Sequence, residues 1–189
     1  ALAAGSALLA EGTDARLERG VLRATRTRSL GAIPLSSTPA KALDPEEATA
    51  LVAQHLAARG LGELSWGKDA SSLRERLRAL HEALGDPWPD VSDEALAGSA
   101  EQWLAPWGRR LASGSSLSQV SMLDVLRSLL PWPQAARLDE LAPEKLPIPS
   151  GGTRPIDWSG AHPVLTLRVQ QAFGWTDTPR LLDGRVPLV

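Results

Sequence analysis

No stretch constrains this chain more than Asp44-Pro45-Glu46-Glu47. An Asp suited to an N-cap, a Pro suited to the first helical position and two acids near the positive end of the helix dipole together start a helix. Ala48, Leu51, Val52, His55 and Leu56 then recur at helical spacing until Gly60 stops the run. Ahead of this signal the period is two. Arg23, Thr25 and Thr27 alternate with Leu22, Ala24 and Arg26. Arg19-Gly20 reads as a turn, so a β-hairpin is expected here, with Arg26 as an awkward member of its inner face. Pro34 restricts the second strand to an edge or a bulge, and Ser36 to Lys41 reads as a linker.

Helical spacing persists as far as Pro143. A second helix is expected from about Ser71 to Leu84, with Leu73, Leu77, Leu80 and Leu84 on one stripe, ending at Gly85-Asp86-Pro87. A third starts near Ser92 and carries Leu96, Trp103, Leu104 and Trp107 to the core, and Gly108 to Ser116 reads as a loop. Ser121-Met122-Leu123-Asp124 resembles a capping box. Pro133 opens a short helix to Leu141. Beyond Pro143, short strands are expected around 145–149, 154–158, 164–167 and 185–189, with one or two helical turns from Arg168 to Phe173.

The fold class is therefore α+β: an N-terminal β-hairpin and short C-terminal antiparallel strands flanking a helical middle of about five helices. The expected organisation is one domain over 1–189, with 1–12 as a leading or poorly ordered segment, 13–43 as hairpin and linker, 44–143 helical and 144–189 β-rich. The first residues, Ala1-Leu2-Ala3, and the strand-like ending Val186-Pro187-Leu188-Val189 read as an internal piece of a larger intracellular protein.

Composition narrows the function classes. Among 189 residues with a net charge of −2 there is no cysteine, which removes disulfides, thiolate chemistry and Cys-ligated zinc. No apolar run is long enough to span a bilayer. His55, His81 and His162 lack ligand spacing, and the first two are expected to be packing or surface residues. Asp93-Glu94 and Asp139-Glu140 imitate the start of a D-E-x-H motif, but each lacks the His and falls in an expected helix. Ser150-Gly151-Gly152-Thr153 has no phosphate-loop lysine. No catalytic residue, metal ligand or cofactor-binding residue is expected, and the chain reads as non-catalytic by itself.

Two places could bind a polyanion. The hairpin gathers Arg16, Arg19, Arg23, Arg26 and Arg28 against Asp14 and Glu18, and the planar fork of arginine suits phosphate. The turn from Ser150 to Arg154 offers the hydroxyls of Ser150 and Thr153, free amides and the Arg154 guanidinium. Arginine also protects strand edges, which is the plainer reading of the hairpin. Trp66, Trp88, Trp103 and Trp132 sit near prolines, glycines or helix ends, and packing between helices is their expected role.

Several blocks carry a family resemblance. They are Arg26-Thr27-Arg28-Ser29-Leu30-Gly31-Ala32-Ile33-Pro34-Leu35, Trp88-Pro89-Asp90-Val91-Ser92-Asp93-Glu94-Ala95-Leu96, Trp103-Leu104-Ala105-Pro106 and Leu129-Leu130-Pro131-Trp132. Arg137 to Pro143, Ile148-Pro149-Ser150-Gly151-Gly152-Thr153-Arg154, Pro163 to Gln170, Phe173-Gly174, Thr176 to Arg180 and Gly184 to Leu188 follow in order. From about Val21 to its end the chain resembles the C-terminal region of the HrpB-type bacterial ATP-dependent helicases, DExH relatives of the DEAH-box proteins. One departure is Gly152, which stands where the family's P-S-G-S-R-like stretch has Ser.

The resemblance implies an accessory region of a cytoplasmic helicase. The ATP and magnesium sites would lie outside this chain, in motor domains that are its partners in cis. It further implies that the region shapes or contacts a path for RNA or another single-stranded nucleic acid, acting as a monomer and without a membrane. The alternative is a protein-docking scaffold with no nucleic-acid contact.

Overall fold

Asp44 caps the first long helix as its sequence requires, its Oδ2 accepting from the Glu46 amide at 3.0 Å. The computed structural model describes residues 9–30, 33–39 and 43–189. In chain order these form β1 (Leu9–Glu18), β2 (Val21–Leu30), β3 (Ile33–Pro39), α1 (Pro45–Arg59), α2 (Lys68–Leu84), α3 (Asp93–Gly98) and α4 (Ala100–Leu104). Then come α5 (Gly108–Ala112), α6 (Met122–Leu129), α7 (Trp132–Leu141), β4 (Lys145–Pro147), β5 (Thr153–Pro155), β6 (Arg180–Leu181) and β7 (Val186–Pro187). The class is α+β. The chain divides into two compact units, each made of two stretches: 1–65 with 93–121, and 66–92 with 122–189.

In the first unit the expected hairpin is the leading pair of a three-stranded antiparallel sheet, ordered β1-β2-β3. β1 already begins at Leu9, within the stretch read as a leading segment; residues 1–8 lie outside the described ones. The expected linker is also partly strand. Thr38, Ser37 and Ser36 pair with Arg26, Thr27 and Arg28, and Leu35 is the extra residue of a bulge before Pro34 meets Ser29. An edge strand tolerates both the bulge and the prolines, so a linker and an edge strand have similar compositions. Lys41 lies outside the described residues.

The helical part of this unit packs around α1, whose Ala48, Val52 and Leu56 are fully buried with Leu96, Leu104 and Leu111. The expected third helix is broken into α3, α4, a 3-10 turn at Ala105–Trp107 and α5. Trp103 fills the core and its indole N–H donates to the Leu96 carbonyl at 2.8 Å. Gly108 does not open a loop, as its composition suggested, but starts α5. A Cβ at Gly108 would stand 2.8 Å from both the Pro45 carbonyl and the Thr49 hydroxyl, so this glycine permits close helix approach.

In the second unit α2 packs on α6 through a core that includes Leu73, Leu77, Leu80, Met122, Val125 and Leu126. Arg76 is buried among these residues. Its Nε donates to the Ala142 carbonyl at 2.5 Å, one Nη donates to Glu144 at 3.1 Å and the other to Asp139. A buried guanidinium needs acceptors of this kind. Trp158 is buried against Pro143, whose carbonyl accepts its indole N–H at 2.9 Å. Trp132 does not pack: it is 81% exposed. The less exposed positions of α7 are Gln134, Leu138 and Leu141, and Trp132 lies about 200° around the helix from Gln134.

Of the expected C-terminal strands, β4 pairs with β5, while β7 pairs with β6, a two-residue strand at Arg180–Leu181 that was not expected. The segment at 164–167 makes a single bridge, Asp157 with Val164, and Arg168 to Phe173 contains one 3-10 turn, Val169–Gln171.

Gly108→Ala is expected to cost about 1–3 kcal/mol through overpacking, read as a lower urea midpoint. Arg76→Met leaves the Ala142 carbonyl without its donor and is expected to cost about 1–3 kcal/mol. Asp139→Asn costs less in the same assay, because that carboxylate is already largely hydrated.

Candidate nucleic-acid-binding surfaces

The arginine hairpin turns through Arg19 (φ 51°) and Gly20 (φ 75°). Two central residues with positive φ suit the right-handed twist of a two-residue hairpin. This turn is the rooted end of the ribbon. Gly20 is buried, its carbonyl accepts from the Leu117 amide at 2.7 Å, and Val21 bridges to Ser116. A Cβ at Gly20 would already touch Glu63, Ser116 and Leu117. The other end of β2 runs out to exposed residues.

The register separates the arginines. Arg16 pairs with Arg23, so these two share a face, and Leu17 pairs with Leu22 on the opposite face. Since side chains alternate along a strand, Arg26 and Arg28 fall on the Leu22 face. That face changes character along its length: Leu22 is buried, Ala24 half-buried, and Arg26 and Arg28 are exposed. Arg26 is therefore not an inward charge, because the ribbon has left the core before reaching it. On the other face Glu18 sits 3.4 Å from Arg23, partly offsetting two like charges placed opposite each other. Arg19, in the turn, is also exposed. The ribbon thus displays cations on both faces instead of along one stripe.

The second candidate belongs to the other unit. The β4–β5 turn is closed by Ile148 N–H to Gly152 O at 3.1 Å and Gly151 N–H to Ile148 O at 3.0 Å. Gly151 (φ 92°) and Gly152 (φ 83°) adopt backbone angles that disfavour side chains. Ile148 is buried beneath the turn, while Ser150, Thr153 and Arg154 are exposed. Thr153 pairs with Pro147 and Arg154 with Leu146, so the threonine and arginine project to opposite faces. The turn does not converge its polar groups on one point.

Two of the three histidines have partners of their own: His55 Nε2 lies 2.9 Å from Glu63 and His81 Nδ1 lies 2.8 Å from the Trp88 carbonyl. Asp139 serves the buried Arg76. Among the described residues no three His, Cys, Asp or Glu side chains are grouped to hold a metal, and no helix is long and apolar enough to cross a membrane. Two short Asx turns are the sites of perturbed titration. Backbone and side-chain hydrogen bonds from Ser92 hold the Asp90 carboxyl below its ordinary range, and side-chain and backbone hydrogen bonds from Ser159 do the same for Asp157. Sequence reading missed Arg76, whose acceptors lie more than sixty residues away, and a stack of Arg74 on Trp66 with 4.5 Å between guanidinium carbon and ring centroid. No local pattern signals either.

Residues 103–189 match the family HrpB_C, ATP-dependent helicase C-terminal. The chain matches the C-terminal domain of bacterial HrpB-type helicases. It is 31% identical over 173 residues to the ATP-dependent RNA helicase HrpB of Escherichia coli strain K12, which is 90% of this chain and 21% of that protein. The crystal structure of the Escherichia coli DEAH/RHA helicase HrpB aligns over the whole chain and 25% of its own length, with 28% identity and a TM-score of 0.71. A crystal structure of the E. coli DExH-box NTPase HrpB aligns with a TM-score of 0.67 and 30% identity, over 96% of this chain and 23% of its own. The chain thus spans about a fifth of the curated relative's length, and corresponds to the HrpB_C accessory region of such a helicase. The ribbon lies outside the family match but inside the stretch aligned to the DEAH/RHA helicase structure.

The rooted and projecting halves of the ribbon should separate by mutation. Leu22→Ala is expected to cost about 2–5 kcal/mol in chemical denaturation. Arg26→Ala and Arg28→Ala should each stay within about 0.5 kcal/mol of the parent.

Proposed function

We propose that this HrpB_C-type region is a non-catalytic accessory module that contacts single-stranded nucleic acid beside the motor domains of its parent helicase. The observation that carries this reading is the ribbon: rooted through Gly20 and presenting exposed Arg19, Arg23, Arg26 and Arg28 on a chain whose net charge is −2. A chain without net positive charge attracts phosphate only through a local cluster. Cations on both faces favour a flexible backbone over one flat surface. Contact should be weak, salt-sensitive and tolerant of sequence. The turn at Ser150, Thr153 and Arg154 is a secondary contact in this proposal, through Arg154.

The name of the curated relative, an ATP-dependent RNA helicase, favours RNA as the nucleic acid. ATP and magnesium would be held by the parent's motor domains, in cis and in the cytoplasm, with the helicase acting as a monomer. We also propose that 1–189 behaves as one module in unfolding. The chain passes between its two units three times, at 65–66, 92–93 and 121–122, so neither unit is a separable length of sequence.

The test is fluorescence anisotropy of the 189-residue chain with a single-stranded RNA at several salt concentrations, with ATP turnover measured in parallel. Replacing Arg23, Arg26 and Arg28 by Ala should weaken binding and flatten the slope of log K against log salt by about 2, at roughly 0.7 per lost phosphate contact on a single strand. ATP turnover should stay at background. A folded triple variant with an unchanged slope would transfer the argument to the docking-scaffold reading.

A further inference from the structure

Helix α2 carries a second cluster, built from residues that belong neither to the arginine ribbon nor to the β4–β5 turn. A cleft of about 260 Å³ is lined there by Trp66, Ser71, Arg74, Glu75, Arg78, Val91 and Ser92. Its first property is a fixed flat surface. The Arg74 guanidinium lies over the Trp66 ring at 4.5 Å, and its Nε donates to the Val91 carbonyl at 2.8 Å, which holds the plane in place. Stacking of this kind offers a flat ligand the outer plane of a guanidinium backed by an aromatic ring.

The second property is an acceptor without a partner. Glu75 is half-buried, yet it makes no hydrogen bond or ion pair with any described residue. Its neighbour three positions along, Arg78, is committed elsewhere: to Glu82 at 3.0 and 3.1 Å and to the carbonyls of Trp158 and Gly160 at 2.9 and 2.7 Å. Arg78 therefore makes a rigid, positive wall and leaves Glu75 unneutralised by direct contact. An ionised carboxylate accepts hydrogen bonds and donates none. The cleft thus lacks a flat ring with N–H donors on one edge.

A nucleobase bearing an exocyclic amino group has both. Guanine, adenine and cytosine can each present an amino edge to a carboxylate, whereas uracil presents two carbonyl oxygens around its single N–H and would be repelled. Single-stranded nucleic acid is read in this way, by stacking unpaired bases and bonding their edges. We propose that this cleft takes one unpaired, amino-bearing base of a single strand, its ring against the Trp66–Arg74 plane and its amino edge on Glu75. The proposal deepens the nucleic-acid reading given above but rests on a different set of residues.

The experiment measures binding of the 189-residue chain to labelled oligo-A, oligo-C and oligo-U RNA of equal length across a salt series. The parent should bind A and C several-fold more tightly than U. Trp66→Ala should weaken A and C by about ten-fold, the scale of one base–aromatic stack, without changing the salt slope. Trp66→Phe should recover most of that loss, and Glu75→Gln should erase the preference over U. The ribbon triple variant should do the opposite, flattening the slope and keeping the base preference. If Trp66→Ala and Glu75→Gln bind all three oligomers as the parent does, the cleft proposal is overturned while the ribbon stands. If the slope is unmoved by the ribbon variant but Trp66→Ala still weakens binding, the ribbon reading falls and the cleft remains. If Trp66→Ala fails to fold, Glu75→Gln alone decides: an unchanged preference for A and C over U would sink the proposal.

Discussion

Buried and half-buried carbonyls must find donors, and in the second unit many of those donors come from one helix. Arg74, Arg76 and Arg78 of α2 reach Val91, Ala142, and the pair Trp158 and Gly160. Loops that carry too little regular structure to satisfy their own backbone are tied in this way to a rod seventeen residues long. Arg76 is the most deeply buried of the three. It is withdrawn from water, and the Ala142 carbonyl together with the more exposed Asp139 and Glu144 carboxylates supplies the acceptors its charge needs. Without Arg76 the Ala142 carbonyl, just ahead of the β-rich segment, would lose its donor.

The first unit solves a different problem. Its sheet is long and thin, and most of its described side chains beyond Ala24 face water. Such a ribbon gains little from hydrophobic burial along its length. It is held instead at the turn, where Gly20 meets the Leu117 amide and Leu22 enters the core. The charged half can therefore be altered at small cost to folding. Surfaces that make functional contacts benefit from this separation of anchoring from display.

How far the sequence revealed this depends on whether the controlling contact is local. The start of α1 was legible because Asp44, Pro45, Glu46 and Glu47 act on one another within a turn. The Arg19-Gly20 reversal was legible for the same reason. Gly108 was misleading: the property that matters is its distance from Pro45 and Thr49, sixty residues away, whereas composition shows only a helix breaker. Ser36 to Pro39 read as linker because an edge strand needs no apolar alternation. Trp132 read as core because size and apolarity suggest burial, but the phase of α7 turns it outward. The arginines were correctly gathered as a cluster, but only register could show that they divide between two faces.

That division has an arithmetic consequence. Because the turn is fixed in the unit and β2 alternates strictly, the side on which each arginine of that strand appears is set by whether its distance from Gly20 is odd or even. Adding one residue between Arg23 and Arg26 would carry Arg26 and Arg28 to the face that holds Arg16 and Arg23. Adding a matched pair to each strand would lengthen the arm and leave its polarity intact. The ribbon can therefore change its reach by steps of two while each arginine keeps its side.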